Sequence, residues 1–255
     1  MKILLKVILF FITIFSVNAQ QQYDNENDFL IEILNNPRSI LITGYRGNNT
    51  IVRIPPRIRS LPVLIIGGRA FMGKNLTGVI IPDSVTSIFA GAFANNKLTN
   101  LVIPNSVTLI GVSAFEGNQL ESVVLPDSIT RIAVGTFKRN RLTNIVIPNS
   151  VNQIDREAFA ENQLTTLNIP NSVTYIGDRA FAENQITSVI IPNSVTQIGN
   201  WVFIINPLIY AEIPNSINNM GDHPFPLGLM NFYTNNGRRA GIYTFNGNSW
   251  NMRPF

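Results

Sequence analysis

The sequence contains no cysteine. This absence excludes disulfide bonds, thiol-based catalysis, cysteine metal sites and a bacterial lipoprotein anchor. Packing and hydrogen bonds alone must therefore stabilise any fold that the chain adopts.

Histidine is nearly as scarce, because His223 is the only one in the chain. It lies in a degenerate part of the sequence, where we predict that it belongs to a cap. Carboxylates such as Asp155 and Glu157 offer material for acid/base chemistry, but they occupy variable surface positions with no pocket implied. With no phosphate-binding loop and no histidine/acid metal set, we expect no enzyme activity, no metal and no cofactor.

Charge is also low, with 13% charged residues and a formal net charge of +4. Two of the lysines lie within residues 1–19, so the remainder carries 17 basic and 15 acidic residues, or about +2. Such a balanced chain lacks the basic field of a nucleic-acid-binding protein, and we expect no nucleic-acid partner. Its hydrophobic content of 45% is ample for one elongated core.

The one long apolar run lies at the N-terminus. Lys2 and Lys6 precede an apolar stretch from Val7 to Phe15, and Val17-Asn18-Ala19 offers small residues for cleavage. We predict that residues 1–19 are a signal peptide and that the protein is exported to a periplasm, the cell surface or the medium. The alternative is an uncleaved anchor, although the run is short for a membrane span. We expect no stable membrane span after signal removal.

The dominant feature of the sequence is a repeat of 22 residues. A strict period of this length is typical of a solenoid, in which each repeat forms one turn and stacks on its neighbours. The period is marked by proline at Pro82, Pro104, Pro126, Pro148, Pro170, Pro192 and Pro214, and by phenylalanine at Phe71, Phe93, Phe115, Phe137, Phe159, Phe181, Phe203 and Phe225.

The spacing within a repeat predicts a short strand that proline ends. Leu101 and Ile103 share one face of this strand, while Asn100 and Val102 share the other. Pro104 has no N–H to donate, so the strand is expected to end at the same place in every repeat. An asparagine late in each repeat is predicted to be buried and to bond otherwise unpaired backbone; the set is Asn96, Asn118, Asn140, Asn162, Asn184 and Asn206.

The run L-x-x-L-x-I-P-x-S-V-x-x-I-G-x-x-A-F-x-x-N resembles the BspA-like class of leucine-rich repeat, which occurs in surface and secreted proteins. The match covers about Ile51 to Phe225. The family often has cysteine where this chain has Asn118 and its equivalents. The resemblance implies a leucine-rich repeat solenoid: a curved right-handed coil with a parallel β-sheet on the concave face, short helical or irregular convex segments, and non-repeat caps. It also implies adhesion or protein binding.

The segments outside the repeat are predicted to cap the solenoid. Residues 20–50 form the N-terminal cap, with a helix from Asp28 to Asn36 and strands at Ile40–Tyr45 and Thr50–Ile54. Residues 51–75 form a divergent first repeat, and 76–229 form seven leucine-rich repeats. Residues 230–255 form a C-terminal aromatic cap, in which Phe232, Tyr233, Ile242, Tyr243, Phe245 and Trp250 are predicted to build a hairpin that serves as a lid or as an aromatic docking site.

The outward strand positions are the candidate binding site, because they would line the concave face. Ile80 to Val146 is expected to form a continuous apolar stripe over four strands. Such residues also simply suit a strand surface, but continuous exposed apolar patches mark contact sites. The candidate residues are Ile80, Asn100, Val102, Ser122, Val124, Asn144, Val146, Asn168, Ile190 and Tyr210.

A secondary basic patch comprises Arg131, Lys138, Arg139 and Arg141. It is expected to face Asp155, Glu157 and Glu161 of the next repeat. This pattern favours a solvated ion-pair surface, and the alternative is an anionic-glycan site.

Together these features predict a non-enzymatic, exported protein-binding or adhesion module. Its expected partner is a protein or apolar ligand at the concave face, which includes host extracellular components. The alternative is a structural envelope protein that self-associates by burying the same apolar stripe.

Overall fold

The computed structural model describes residues 22–235 and 237–255. The predicted signal peptide, residues 1–19, lies outside this part of the chain. No helix of the described residues has the length and apolar character needed to cross a membrane.

The chain winds into a β-solenoid of parallel strands, as the repeat predicted. Each regular turn of the repeat passes through two strand positions, which belong to two different sheets. The strands in chain order are β1 (Phe29–Asn35), β2 (Arg38–Tyr45), β3 (Ile51–Arg53), β4 (Arg57–Ile58), β5 (Leu61–Ile66), β6 (Gly78–Ile80), β7 (Ser87–Ile88), β8 (Asn100–Val102), β9 (Leu109–Ile110), β10 (Ser122–Val124), β11 (Arg131–Ile132), β12 (Gln153–Ile154), β13 (Tyr175–Ile176), β14 (Ser188–Ile190), β15 (Gln197–Ile198), β16 (Tyr210–Ile213), β17 (Asn219–Met220), β18 (Gly241–Phe245) and β19 (Trp250–Arg253), with helix α1 (Leu227–Asn235) before β18.

The first sheet is built from the strands that precede each proline. β3 pairs with β6, β8 with β10, and β14 with β16, and each pair is parallel. Paired residues are one 22-residue repeat apart, except in β3 and β6, which are separated by the longer first repeat. Leu101 and Ile103 are both 2% exposed and face the core, as their spacing predicted. The opposite side of these strands is here called the outward face of the first sheet.

Two predicted strands of the first sheet are absent. Residues 144–146 and 166–168 run through the corresponding positions without forming strands. The prediction of a strand in every repeat is therefore wrong at these turns. Ile145 and Ile147 are still buried at the first of these turns. Side-chain packing and the second sheet therefore keep the turns stacked, although the first sheet is interrupted there.

The second sheet was not predicted. It consists of strands on the return path of each turn, which have two residues each except for the six-residue β5. It runs as β5-β7-β9 in one stretch and β11-β12-β13-β15-β17 in the other. All of these neighbours pair in parallel with an offset of 22 residues. Strands of two residues are too short to show the alternating pattern that marks a strand, so the sequence did not predict them as strands.

The N-terminal cap differs from its prediction. A 3-10 helix occupies Glu26–Asp28, and the side chain of Asn25 caps it by accepting a hydrogen bond from the backbone N–H of Asn27. The helix predicted over Asp28–Asn36 is instead strand β1, which pairs antiparallel with β2 and so extends the second sheet. Pairing with β2 outweighs the helical spacing of the apolar residues, because the strand covers the first turn of the solenoid.

The C-terminal cap is partly as predicted. β18 and β19 form an antiparallel hairpin around Asn246, whose side chain accepts from the backbone N–H groups of Asn248 and Ser249. Phe232 and Tyr233, however, lie in α1 and not in a hairpin. β18 pairs antiparallel with β16 and closes the end of the first sheet.

Phenylalanine rings form an unbroken stack through the core. The eight rings from Phe71 to Phe225 follow one another at centroid distances of 5.0–5.9 Å with nearly parallel planes. Both caps continue the stack with aromatic residues, Tyr45 packing against Phe71 and Tyr233 against Phe225. Each fully buried ring contributes about 1.5–3 kcal/mol by leaving water.

The repeated asparagines form a second ladder, as predicted. Asn162 is 6% exposed. Its Nδ2 donates to the carbonyls of Phe137, Phe159 and Ala160 at 2.9, 3.1 and 3.2 Å, and its Oδ1 accepts from the N–H of Leu142 at 3.1 Å. One side chain thus joins two successive turns through buried backbone groups, and the carbonyls of Phe137 and Phe159 each accept from two asparagines of the ladder. The same arrangement recurs at Asn96, Asn118, Asn140, Asn184 and Asn206.

Each regular turn also contains residues with left-handed backbone, with φ between about 50° and 70°. Gly91, Ser113 and Glu157 are examples of one such column, and their N–H groups donate to carbonyls of the next turn. The positive φ aims the N–H along the solenoid axis. Ile205 belongs to the second column with φ 55°, which is a strained conformation for a β-branched residue.

We expect Ile205→Gly to stabilise the protein. The side chain of Ile205 is 66% exposed, so its loss removes little packing, while glycine relieves about 1 kcal/mol of backbone strain. Urea unfolding measures the change. The matched control is Ile209→Gly, which is 52% exposed and outside the left-handed set; it should destabilise by about 0.5–1 kcal/mol. Equal effects of the two substitutions would contradict the role given to backbone strain.

We expect Asn162→Ala to destabilise the protein by about 2–4 kcal/mol. The substitution leaves the buried N–H of Leu142 unpaired, which costs about 1–3 kcal/mol. It also removes one amide hydrogen bond from each of the carbonyls of Phe137 and Phe159, which keep a second bond from Asn140 and Asn184. Thermal and urea unfolding provide the measurement. Asn171→Ala is the control at an exposed asparagine, with a change within about 0.5 kcal/mol. A small effect at Asn162 would show that the asparagine ladder does not hold the turns.

Candidate functional site

The predicted binding residues all lie on the outward side of the first-sheet path, but their exposure varies widely. Val146 is 72% exposed, Ile190 is 55% exposed and Val124 is 38% exposed. Asn168 is also exposed. The remaining residues of the predicted set are half-buried: Ile80, Asn100, Val102, Ser122, Asn144 and Tyr210.

Strand register decides which of these residues become neighbours. Val102 lies beside Val124, and Asn100 lies beside Ser122, whose hydroxyl donates to the Asn100 Oδ1 at 2.7 Å. Ile190 lies beside Glu212. Ile80 lies beside Arg53 at the N-terminal end. The neighbours of two of the apolar residues are therefore charged.

The apolar stripe from Ile80 to Val146 is not one strand ladder. β6 belongs to the sheet of β3, β8 and β10 form a separate pair, and Val146 lies in a segment that is not a strand. The prediction of four successive paired strands is wrong for this reason. The exposed apolar residues remain in equivalent positions of neighbouring turns, but only Val102 and Val124 are joined by strand pairing.

A groove of about 590 Å³ lies at the C-terminal end of the outward face. Asn168, Ile190 and Glu212 line it from equivalent positions of three turns, and Phe255, which is 69% exposed, lies at its rim. Its other side is formed by the asparagines that follow the repeated prolines, Asn171, Asn193 and Asn215. Within this lining, Glu212 is the one charged side chain.

Glu212, Phe255 and the three asparagines were not among the predicted binding residues. Glu212 occupies the same repeat position as Ile190, so the 22-residue register carried the signal for it. Phe255 lies outside the repeat, and only the fold brings it to the groove.

Glu212 is oriented by its neighbour on the same face. The hydroxyl of Tyr210 donates to Oε1 of Glu212. This hydrogen bond, together with desolvation and the negative charge of Glu212, raises the pKa of Tyr210, while Arg253 acts in the opposite direction. Tyr210 also lines a shallower depression with Ile242, Met252 and Arg253 of the C-terminal cap.

The secondary basic patch is largely neutralised by carboxylates. Arg131 Nε lies 2.5 Å from Asp155 Oδ2, Lys138 Nζ lies 2.8 Å from Glu157 Oε2, and Arg139 Nε lies 2.9 Å from Glu161 Oε2. Arg141 makes no salt bridge within residues 22–235 and 237–255. The geometry is that of an ion-pair surface, and anionic-glycan binding at this patch stays a prediction.

Lys138 and Glu157 form the most shielded pair of this patch. Their side chains are 16% and 20% exposed. The hydrogen bond from Lys138, opposed by desolvation, lowers the pKa of Glu157. Burial on its own lowers the pKa of Lys138, but Glu157 and Glu161 together raise it above its ordinary value.

Clusters suited to metal binding are not found in the described residues, where no group of three or more histidine, aspartate or glutamate side chains converges. His223 lies at the surface of the last turn, in a cleft that also contains Asp222 and Arg238.

The lowered pKa of Glu157 predicts a pH-dependent contribution to stability. A carboxyl whose folded pKa is depressed stabilises the fold above its unfolded pKa, near 4.3, and loses that contribution as pH falls through the folded value. We expect Glu157→Gln to destabilise by about 1 kcal/mol at pH 7 and by almost nothing at pH 2.5. Urea unfolding at both pH values measures this difference.

The control for this experiment is Glu121→Gln, because Glu121 is exposed and lies outside the ion-pair patch. It should have little effect at either pH. A cost for Glu157→Gln that is the same at both pH values would show that its ion pair with Lys138 does not contribute.

Comparisons with known proteins agree with the architecture. A family model described as BspA type leucine rich repeat region matches in six copies, over residues 64–184 and 130–248. Among curated proteins none matches the chain. A leucine-rich repeat protein from Bacteroides ovatus is similar in structure, with a TM-score of 0.53 and 25% identity over 81% of this chain and 68% of the other.

A second solved structure is described as a leucine rich cell surface protein from Faecalibacterium prausnitzii. It matches with a TM-score of 0.52 and 24% identity, covering 82% of this chain and 75% of the other. At this level of identity the likeness concerns the fold.

Proposed function

Because the chain belongs to the BspA-type leucine-rich repeat proteins, we propose that it is a non-enzymatic, exported binding or adhesion module. Its contact surface is the outward face of the first sheet, which was predicted to be concave. The partner is a protein or an apolar ligand, and host extracellular components are the first class to test.

The observation that carries this proposal is the exposure of large apolar side chains along that face. Val124, Val146 and Ile190 occupy one repeat position in different turns and are 38%, 72% and 55% exposed. The inward residues Ile145 and Val189 beside Val146 and Ile190 are buried, so the exposed set is not needed for the core. Exposed apolar patches beside polar rims are typical of protein contact sites.

The C-terminal groove supports the same proposal. It combines Ile190 and Phe255 with a row of side-chain amides and one carboxylate. Amides both donate and accept hydrogen bonds, and they carry no charge that must be desolvated. The groove is therefore suited to a partner that presents apolar groups together with backbone or side-chain hydrogen-bonding groups.

Export is part of the proposal. The protein from F. prausnitzii is described as a cell surface protein, and residues 1–19 have the form of a signal peptide. We propose that this segment directs the chain out of the cytoplasm and is then removed.

The alternative function uses the same face differently. A structural envelope protein would bury Val124 and Val146 against a second copy of the chain. The exposed apolar side chains support this alternative as well, and concentration-dependent mass separates it from binding to a foreign partner.

The test is a double variant, Val146→Glu with Ile190→Glu, which adds charge to the two most exposed positions of the proposed face. We expect binding to immobilised extracellular matrix proteins to weaken at least tenfold, because each carboxylate must be desolvated on contact. Biolayer interferometry against purified fibronectin, fibrinogen and collagen gives the affinities.

The matched control is Leu109→Glu, which places the same charge at a residue that is 47% exposed on the second sheet. It should leave binding unchanged, and thermal unfolding should show that both variants are folded. Equal binding by the double variant and the native protein would exclude the outward face. An oligomer that only the double variant dissolves would establish the self-associating alternative.

A further inference from the structure

The groove at the C-terminal end of the outward face contains asparagine amides that the fold itself does not use. Asn171, Asn193 and Asn215 occupy one repeat position in three successive turns, and Asn168 also lines the groove. All four residues are exposed. Their side chains make no hydrogen bond to any residue of 22–235 and 237–255. Each amide is therefore free to donate hydrogen bonds to a ligand and to accept them from it.

Apolar side chains lie among these amides. Ile190 is 55% exposed and occupies the repeat position between Asn168 and Glu212, and Phe255 is 69% exposed at the rim. Binding sites for small ligands combine apolar surface with a few polar groups that fix orientation. The lining therefore favours a ligand that carries apolar groups and hydrogen-bonding groups side by side.

The charged side chains at this end of the face balance each other. Glu212 is the one charged side chain that lines the groove. Arg253 lies on the same side of the sheet two strands away, because Glu212 pairs with Ile242 and Ile242 pairs with Arg253. One negative and one positive charge leave no net field for an ionic ligand, so a neutral ligand is favoured.

The spacing of the turns selects the kind of chain that would match the groove. The phenylalanine rings of these three turns follow one another at 5.7 and 5.9 Å, and paired strands such as β14 and β16 lie about 4.8 Å apart. An extended peptide advances by about 3.3 Å per residue, and two of its residues span about 6.6 Å, so it would drift out of register with the turns. A pyranose unit advances an extended glycan by close to one turn.

Tyr210 adds an aromatic surface next to the groove. Its hydroxyl donates to Oε1 of Glu212, which is two residues further along the same strand and on the same side. To reach that carboxylate, the ring must lie along the strand. It lines the adjoining depression, where the apolar C–H face of a sugar can pack against an aromatic ring.

We propose that the groove binds a neutral glycan of N-acetylated sugars, which lies along the solenoid axis with successive sugars at successive turns. The hydroxyl and acetamido groups of such a chain both donate and accept hydrogen bonds, as the asparagine amides do. The acetamido methyl groups pack against Ile190 and Phe255, which removes apolar surface of both partners from water.

The inference deepens the proposed function and rests on it, because Ile190 belongs both to the outward face and to the groove. It names the class of ligand for the C-terminal end of that face. Asn193 separates the two, because Asn193→Ala changes the amide row and leaves Val146 and Ile190 in place.

Isothermal titration calorimetry with chito-oligosaccharides tests the proposal. We expect the affinity to rise at least tenfold from chitobiose to chitotetraose and less than twofold from chitotetraose to chitohexaose, because the groove ends after three turns. Cellotetraose has the same length and linkage but a hydroxyl in place of each acetamido group, and it should bind at least tenfold more weakly than chitotetraose.

Asn193→Ala should weaken the binding of chitotetraose at least tenfold. The matched control is Asn149→Ala, because Asn149 is exposed at the same repeat position but lies outside the groove. Both variants should keep the native melting temperature within about a degree, since neither side chain is hydrogen-bonded to a residue that the structure describes.

Three results would overturn the inference: no binding of chitotetraose, equal binding of chitotetraose and cellotetraose, or equal effects of the two asparagine variants. Loss of matrix-protein binding in the Val146/Ile190 variant would still support the proposed function in each case. Chitotetraose binding that Asn193→Ala weakens, together with matrix-protein binding that the Val146/Ile190 variant leaves unchanged, would support the glycan site and exclude the protein-binding face.

Discussion

The structure depends on one constraint: every turn must satisfy its buried backbone through the next turn. Asparagine meets this constraint at one position per repeat, since its amide bonds the carbonyls of two turns and its oxygen takes an N–H from the earlier one. Elsewhere, residues with positive φ satisfy this constraint because their N–H groups point along the solenoid axis and donate to the next turn. The regular spacing that results lets the phenylalanine rings stack at nearly constant distance.

The same constraint explains why the two ends differ from the repeat. Without caps, the terminal turns would expose the ends of the phenylalanine stack and the edges of both sheets. β1 and β2 cover the N-terminal end and contribute Tyr45, while α1 and β18 cover the C-terminal end and contribute Tyr233 and Tyr243. Burial and neighbouring Tyr233, opposed by Arg239, raise the pKa of Tyr243 to about 12, which fits a residue committed to the cap.

The proposed contact surface is separated from this framework, because successive side chains along each first-sheet segment point inward and outward in turn. Inward positions carry apolar residues that pack in the core, whereas one outward position varies from valine to asparagine to glutamate. A solenoid can therefore change its outward surface while its fold is retained. The ion pairs around Lys138 lie on a different surface from the outward face that we propose as the contact surface.

The sequence by itself determined the solenoid, its inward and outward strand positions, the phenylalanine column and the buried asparagines, because each recurs every 22 residues and needs only its neighbours in adjacent turns. The division into signal peptide, caps and repeats stays a prediction, as does the choice of binding residues. Only the tertiary structure decided that residues 28–36 are mainly a strand and that the return path forms a second sheet. It also decided that residues 144–146 and 166–168 form no strand in the first sheet, and that Phe255 lines the groove. The caps, the interruptions of the first sheet and the groove depend on contacts between distant segments that do not recur with the repeat. The return-path strands do recur, but most have only two residues and show no alternation that marks a strand.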